Sequence, residues 1–167
     1  MAKIRRKRQS RVDDAFETVN PHAAGIDVGS RFHVVAVPPG SSPDGDDVQT
    51  FDTFTDDLKR LVVWLQECGV DTVAMESTGV YWIPTYELLE DCGFEVCLCD
   101  TRQLKSVPGR KTDVIDARWL QRLHTAGLLR PAFRPDSVIC ELRAYVRQRS
   151  MLISESSKHI QHIQKAL

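Results

Sequence analysis

At 167 residues and 42% hydrophobic, the chain can form one domain with a real core plus an appendage, and its composition is ordinary for a globular protein. No apolar run approaches membrane-spanning length and MAKIRRKRQSR lacks the apolar stretch of a signal peptide, so a cytoplasmic protein without a membrane partner is expected. The net charge of −1 conceals a segregation: six Lys or Arg and no acid in residues 1–11, three basic and eighteen acidic residues in 12–100, thirteen basic and five acidic in 101–167.

In chain order, residues 1–20 read as a basic, disordered tail. AAGIDV and FHVVAVP are apolar, β-branched runs separated by Gly29, Ser30 and Arg31, which predicts a hairpin. PPGSSPDGDD is a loop, and VQTFDTF reads as a third strand with alternating apolar positions. Thr55 or Asp56 is placed to cap a helix reaching about Cys68, with Leu58, Leu61, Val62 and Leu65 on one face and Gly69 as its stop.

TVAMES is the fourth strand, Tyr81 to Cys92 a helix with Pro84 in its first turn, and FEVCLCD the fifth strand. Thr112 is a good N-cap for a helix from Asp113 to about Thr125, stopped by Gly127. A long helix starts near Asp136 and continues to Leu167. Val138, Leu142, Tyr145, Arg149, Leu152, Ser156, Ile160, Ile163 and Leu167 fall near three-four spacing, with Val146 and Ile153 widening the stripe, the pattern of a dimerisation arm or coiled coil. Packing back on its own domain is the alternative.

Three strands followed by strand-helix alternation predict an α/β fold, a mixed sheet flanked by helices. The domain is expected over 21–130 and the long helix over 136–167. The five cysteines, Cys68, Cys92, Cys97, Cys99 and Cys140, are odd in number and show no CxxC spacing. Reduced, mostly buried thiols are expected; a zinc site at Cys97 and Cys99 would need further ligands that the sequence does not offer.

Four acids stand out. Asp27 and Glu76 each end an apolar strand, and Asp113 and Asp116 are three residues apart on a helix, so they face the same way. Acids at the tips of core strands are costly to bury unless paired or bound to cations. Brought together, the four would form an oxygen-rich site suited to divalent metal and phosphodiester chemistry.

Taken singly, each has a plainer reading. G-I-D-V-G-S occurs both in actin-like kinases, where it holds nucleotide phosphates, and in RNase H-like nucleases, where the aspartate binds metal. Asp113 and Asp116 would serve equally to compensate the helix macrodipole. Arg110 and Lys111 just before them suit phosphate binding instead, and no second Gly-rich phosphate loop accompanies GIDVGS. Tyr81 and Trp82 after Glu76 are expected to pack rather than to stack on a base.

GIDVGS, ESTGVYW and GRKTDVIDA, in that order, resemble the N-terminal RuvC-like domain of DEDD insertion-sequence transposases, the bridge-RNA-guided recombinases. The likeness runs from about His22 through the long helix. It implies an RNase H-like (RuvC-like) five-stranded mixed sheet, with Asp27, Glu76, Asp113 and Asp116 as catalytic acids holding Mg²⁺ or Mn²⁺. It also implies cleavage and exchange of DNA strands in transposition, with DNA and a guide RNA as partners. Arg102, Lys105, Arg110, Lys111 and Arg118 are then expected on phosphates, and the terminal helix in a homo-oligomer. Members of the family carry a coiled-coil insertion and a C-terminal domain with a nucleophilic serine. No such domain is present here, so the expectation is a truncated transposase. A stand-alone metal-dependent junction resolvase and a non-catalytic nucleic-acid-binding remnant are the alternatives.

Overall fold

Two β-rich runs with a three-residue connection fold back on each other in the computed structural model: β1 (Ala23–Val28) pairs antiparallel with β2 (Phe32–Ala36), and the Gly29 N–H donates to the Phe32 carbonyl at 3.1 Å to close the turn. The structure describes residues 17–76, 79–99, 113–135 and 137–166, in two units that divide between Ala132 and Phe133.

The first unit continues with β3 (Val48–Asp52), α1 (Thr55–Glu67), β4 (Thr72–Glu76), α2 (Ile83–Asp91), β5 (Glu95–Cys99) and α3 (Asp113–Thr125). The second is a single long helix, α4 (Ser137–Ala166). The sheet order is β3-β2-β1-β4-β5, with β3, β2 and β1 antiparallel and β1, β4 and β5 parallel. This is the RNase H-like arrangement expected from the sequence. No described helix is long and apolar enough to cross a membrane.

Side-chain alternation divides the sheet into two unlike faces. Ile26, Val35, Val73 and Met75 point to one side and pack with Leu61 and Leu65 of α1 and Leu89 of α2; all seven are wholly buried. His33 lies on this face too, its Nε2 2.9 Å from Thr85 Oγ1 of α2. Trp82 packs against this core and meets Tyr86 edge-on at 5.5 Å between ring centroids, as expected of an aromatic at a helix start. Tyr81 is exposed.

The opposite face is built from small residues. Ala23 and Gly25 of β1, Ala36 of β2 and Ala74 of β4 leave room for α3, whose Ala117 and Leu120 are buried against them. A Cβ on Gly25 would lie 2.6 Å from the Ala117 carbonyl oxygen and closer still to the Gln121 nitrogen. Only glycine permits that approach of helix to strand.

The start of α1 differs from expectation. The N-cap of α1 is Phe54, with no side-chain capping bond, rather than Thr55 or Asp56. Asp56 and Asp57 sit inside the first turn, where they act on the positive end of the helix dipole instead of capping it. In β3, Val48 packs toward α3 while Phe51 is buried in the α1–α2 core, as two residues three apart on a strand must lie on opposite faces. Thr112, the expected cap of α3, lies outside the described residues.

Candidate nucleic-acid and metal site

The candidate site forms where α3 begins over the end of β1. On the α3 side of the sheet, β1 presents Ala23, Gly25 and Asp27 in turn. Gln121 Nε2 donates to the Ala23 carbonyl at 3.2 Å, and Gly25 lies against Ala117. Two strand residues advance about 6.7 Å and four helix residues about 6 Å. The next matching pair after Gln121–Ala23 and Ala117–Gly25 is therefore Asp113–Asp27. Both aspartates line one cavity of about 300 Å³, together with Val28, Gly29, Ser30, Arg31, Phe32 and Val34.

Glu76 reaches the same end through strand register. Ile26 pairs with Met75 in the parallel β1–β4 ladder, so the next residues, Asp27 and Glu76, leave adjacent strands at the same level and on the same side. Glu76 is in turn partnered with Cys99 across β4 and β5. Its charge adds to the effect of Cys97 and of burial in holding the Cys99 thiol far above its ordinary pKa. The two thiols are 3.7 Å apart and not bonded to each other. Of the five cysteines Cys68 and Cys99 are buried, Cys97 and Cys140 partly so and Cys92 exposed, fewer buried than expected.

Asp113 is exposed and Asp116 half-buried, both in the first turn of α3 where the helix dipole is positive. The far end of α3 is fixed by a buried chain of hydrogen bonds. Thr72 Oγ1 donates to the Glu95 carbonyl at 3.0 Å, so its single proton is committed and it accepts from His124 Nε2–H at 2.8 Å. Asn20 Nδ2 donates to the His124 carbonyl, and the Val19 and Asn20 N–H groups donate to the Thr125 carbonyl. These bonds fix the axial position of α3, and with it the height at which Asp113 meets Asp27; Asp116 is not among the residues that line their cavity.

The donors present are carboxylate oxygens, the hard ligands that Mg²⁺ or Mn²⁺ prefers. In kind they fit such an ion. Among the described residues, no group of three or more His, Cys, Asp or Glu side chains stands close enough to hold one. Arg118 is exposed on α3, while Arg102, Lys105, Arg110 and Lys111 lie outside the described residues.

Two residues of the site escape sequence reasoning. Gly25 reads there only as part of a motif, yet it sets the helix-to-strand distance. Arg31 reads as a turn residue, yet it lines the cavity with Asp27 and Asp113. One signal does mark it: between Arg11 and Lys59 it is the sole Lys or Arg.

A search of curated proteins finds no match to this chain. The model of a transposase family, the IS110 group of DEDD transposases, matches residues 24–167, which takes in the four helices, the five strands apart from Ala23, and the four acids. With that match covering all but the first 23 residues, the chain belongs to the DEDD transposase family.

Proposed function

We propose that this chain contributes the acidic site for metal-dependent cleavage and exchange of DNA strands in transposition. The observation that carries the reading is the shared cavity of Asp27 and Asp113, 86 positions apart in sequence, at the carboxyl end of the parallel strands. Ligands of open α/β sheets bind at that end of the strands.

In this reading Asp27, Glu76, Asp113 and Asp116 hold Mg²⁺ or Mn²⁺. A bound ion would neutralise charge developing on the scissile phosphate and its attacking and leaving oxygens. The chain's own residues do the rest. Arg31, at the cavity wall, offers a planar cation to a non-bridging phosphate oxygen, and the Gly29–Ser30 turn lets a nucleic-acid backbone approach. Gly25 and the Thr72–His124 pair keep the first turn of α3 in place, so that Asp113 and Asp116 remain opposite Asp27. Arg102, Lys105, Arg110, Lys111 and Arg118 would bind phosphates of DNA or of a guide RNA. The apolar stripe of α4, with Leu142, Val146, Ile153, Ile160 and Ile163 all exposed, would pair copies of the chain.

Replacing Asp113 or Asp116 by Asn should abolish strand transfer by the transposase while leaving the circular dichroism spectrum unchanged. A second readout needs no turnover. Mg²⁺ should raise the melting temperature of the wild-type chain and not that of Asp27→Asn. Retained strand transfer in both α3 variants would remove these acids from the chemistry.

A further inference from the structure

Helix α4 carries a feature that its apolar stripe does not account for. Advancing 100° per residue, Arg143, Arg147, Lys158 and Lys165 fall within an arc of about 60°, beside the apolar face rather than inside it. All four are exposed. Arg143 and Arg147 are like charges four residues apart, which costs a few tenths of a kcal/mol in an isolated helix. Among the described residues, the ion pair found on this helix joins Lys158 to Glu155 at 2.5 Å, and its exposure makes it readily exchangeable.

We infer that this stripe of α4 is a docking surface for the phosphate backbone of duplex DNA. From Arg143 to Lys165 the stripe runs about 33 Å, close to the roughly 34–36 Å of one turn of B-form DNA. A basic helix with an apolar face also suits an anionic membrane surface, but there the polar face as a whole is rich in Lys and Arg. Here the other flank carries Glu141, Gln148 and His159. The asymmetry allows the apolar face to meet another helix while the cations remain turned to solvent. This inference rests on the DNA-handling reading above for the identity of the polyanion, not on the four acids.

The test is binding of the 167-residue chain to a duplex of about 24 base pairs of arbitrary sequence, in EDTA, between 50 and 200 mM salt. The variant Arg143→Gln/Arg147→Gln/Lys158→Gln/Lys165→Gln should bind at least tenfold more weakly at 100 mM salt. Each lost phosphate contact takes about 0.9 from the slope of log K against log salt, so loss of four should flatten the slope by about 3.6 units. Arg143→Lys/Arg147→Lys, which keeps the charge, should retain the slope, as should Lys59→Gln/Arg60→Gln on α1. An unchanged slope in the fourfold variant overturns the stripe and leaves the acidic site untouched. Loss of binding to anionic vesicles or to duplex RNA with DNA binding intact overturns the choice of DNA. Absence of any salt-dependent DNA binding by the wild-type chain removes the DNA-handling reading itself. EDTA keeps metal-dependent chemistry out of each of these outcomes.

Discussion

The two faces of the sheet are stabilised by opposite means. On the α1–α2 side, large side chains such as Ile26, Met75, Leu61 and Leu89 fill the space between sheet and helices. On the α3 side the sheet presents Ala23, Gly25, Ala36 and Ala74, and the helix backbone itself comes down onto β1. The first face draws its stability from apolar volume. The second buries less, but it sets the position of one helix closely enough for acids from distant segments to share a cavity. A large side chain under α3 would fill the gap and lose the alignment.

Substitutions should separate these roles. Leu61→Ala leaves a cavity in the larger core and should cost about 2–5 kcal/mol in urea unfolding. Strand transfer measured well below its melting temperature should persist. Gly25→Ala drives a methyl into the α3 backbone and should cost about 1–3 kcal/mol. Here strand transfer should fall far more than stability, because Asp113 and Asp116 move relative to Asp27. If Gly25→Ala keeps wild-type activity, the close approach is not what positions the acids. Thr72→Val strips the His124 Nε2–H of its acceptor and should destabilise by about 1–3 kcal/mol. Part of its activity loss should match that of Gly25→Ala, since both loosen α3.

The smallest effect compares one buried histidine on each face. Burial holds His33 and His124 below the ordinary 6.5, partly offset by the Phe32 backbone for His33 and by Glu95 and Asp71 for His124. With the folded pKa depressed, protons bind the unfolded chain more tightly. The stability from each neutral imidazole is therefore fully present above pH 6.5 and is lost as pH falls below it toward the folded value. Each can contribute a slope of up to about 1.4 kcal/mol per pH unit in that window. Urea midpoints at pH 7, 6 and 5 should show the loss, and His33→Asn or His124→Asn should each remove one share of it. A slope unaffected by either change would mean that other groups govern acid unfolding.

Much of this architecture is legible in the sequence. Five short apolar runs, the Gly29–Arg31 turn, the glycines after α1 and α2 and the start of α3 at Asp113 all follow from local patterns, and the fold contains them as strands, turn and helices. The four acids are legible as residue types at element ends. Less is visible at Phe54, where a capping signal one residue along points to another boundary. Neither the Thr72–His124 bond nor the place of Arg31 in the cavity leaves a local signature, because their partners lie tens of residues away.

What the sequence alone determined is therefore the set of elements and the chemistry at their tips, since periodicity, turn residues and charge act over a few positions. Only the tertiary structure decided that Asp27 and Glu76 leave their strands at one level and that Asp113 comes down beside Asp27. The first follows from the Ile26–Met75 register, and the second from how near α3 can approach Gly25. Register and helix height are long-range properties, fixed by pairing and packing between segments that no local pattern connects.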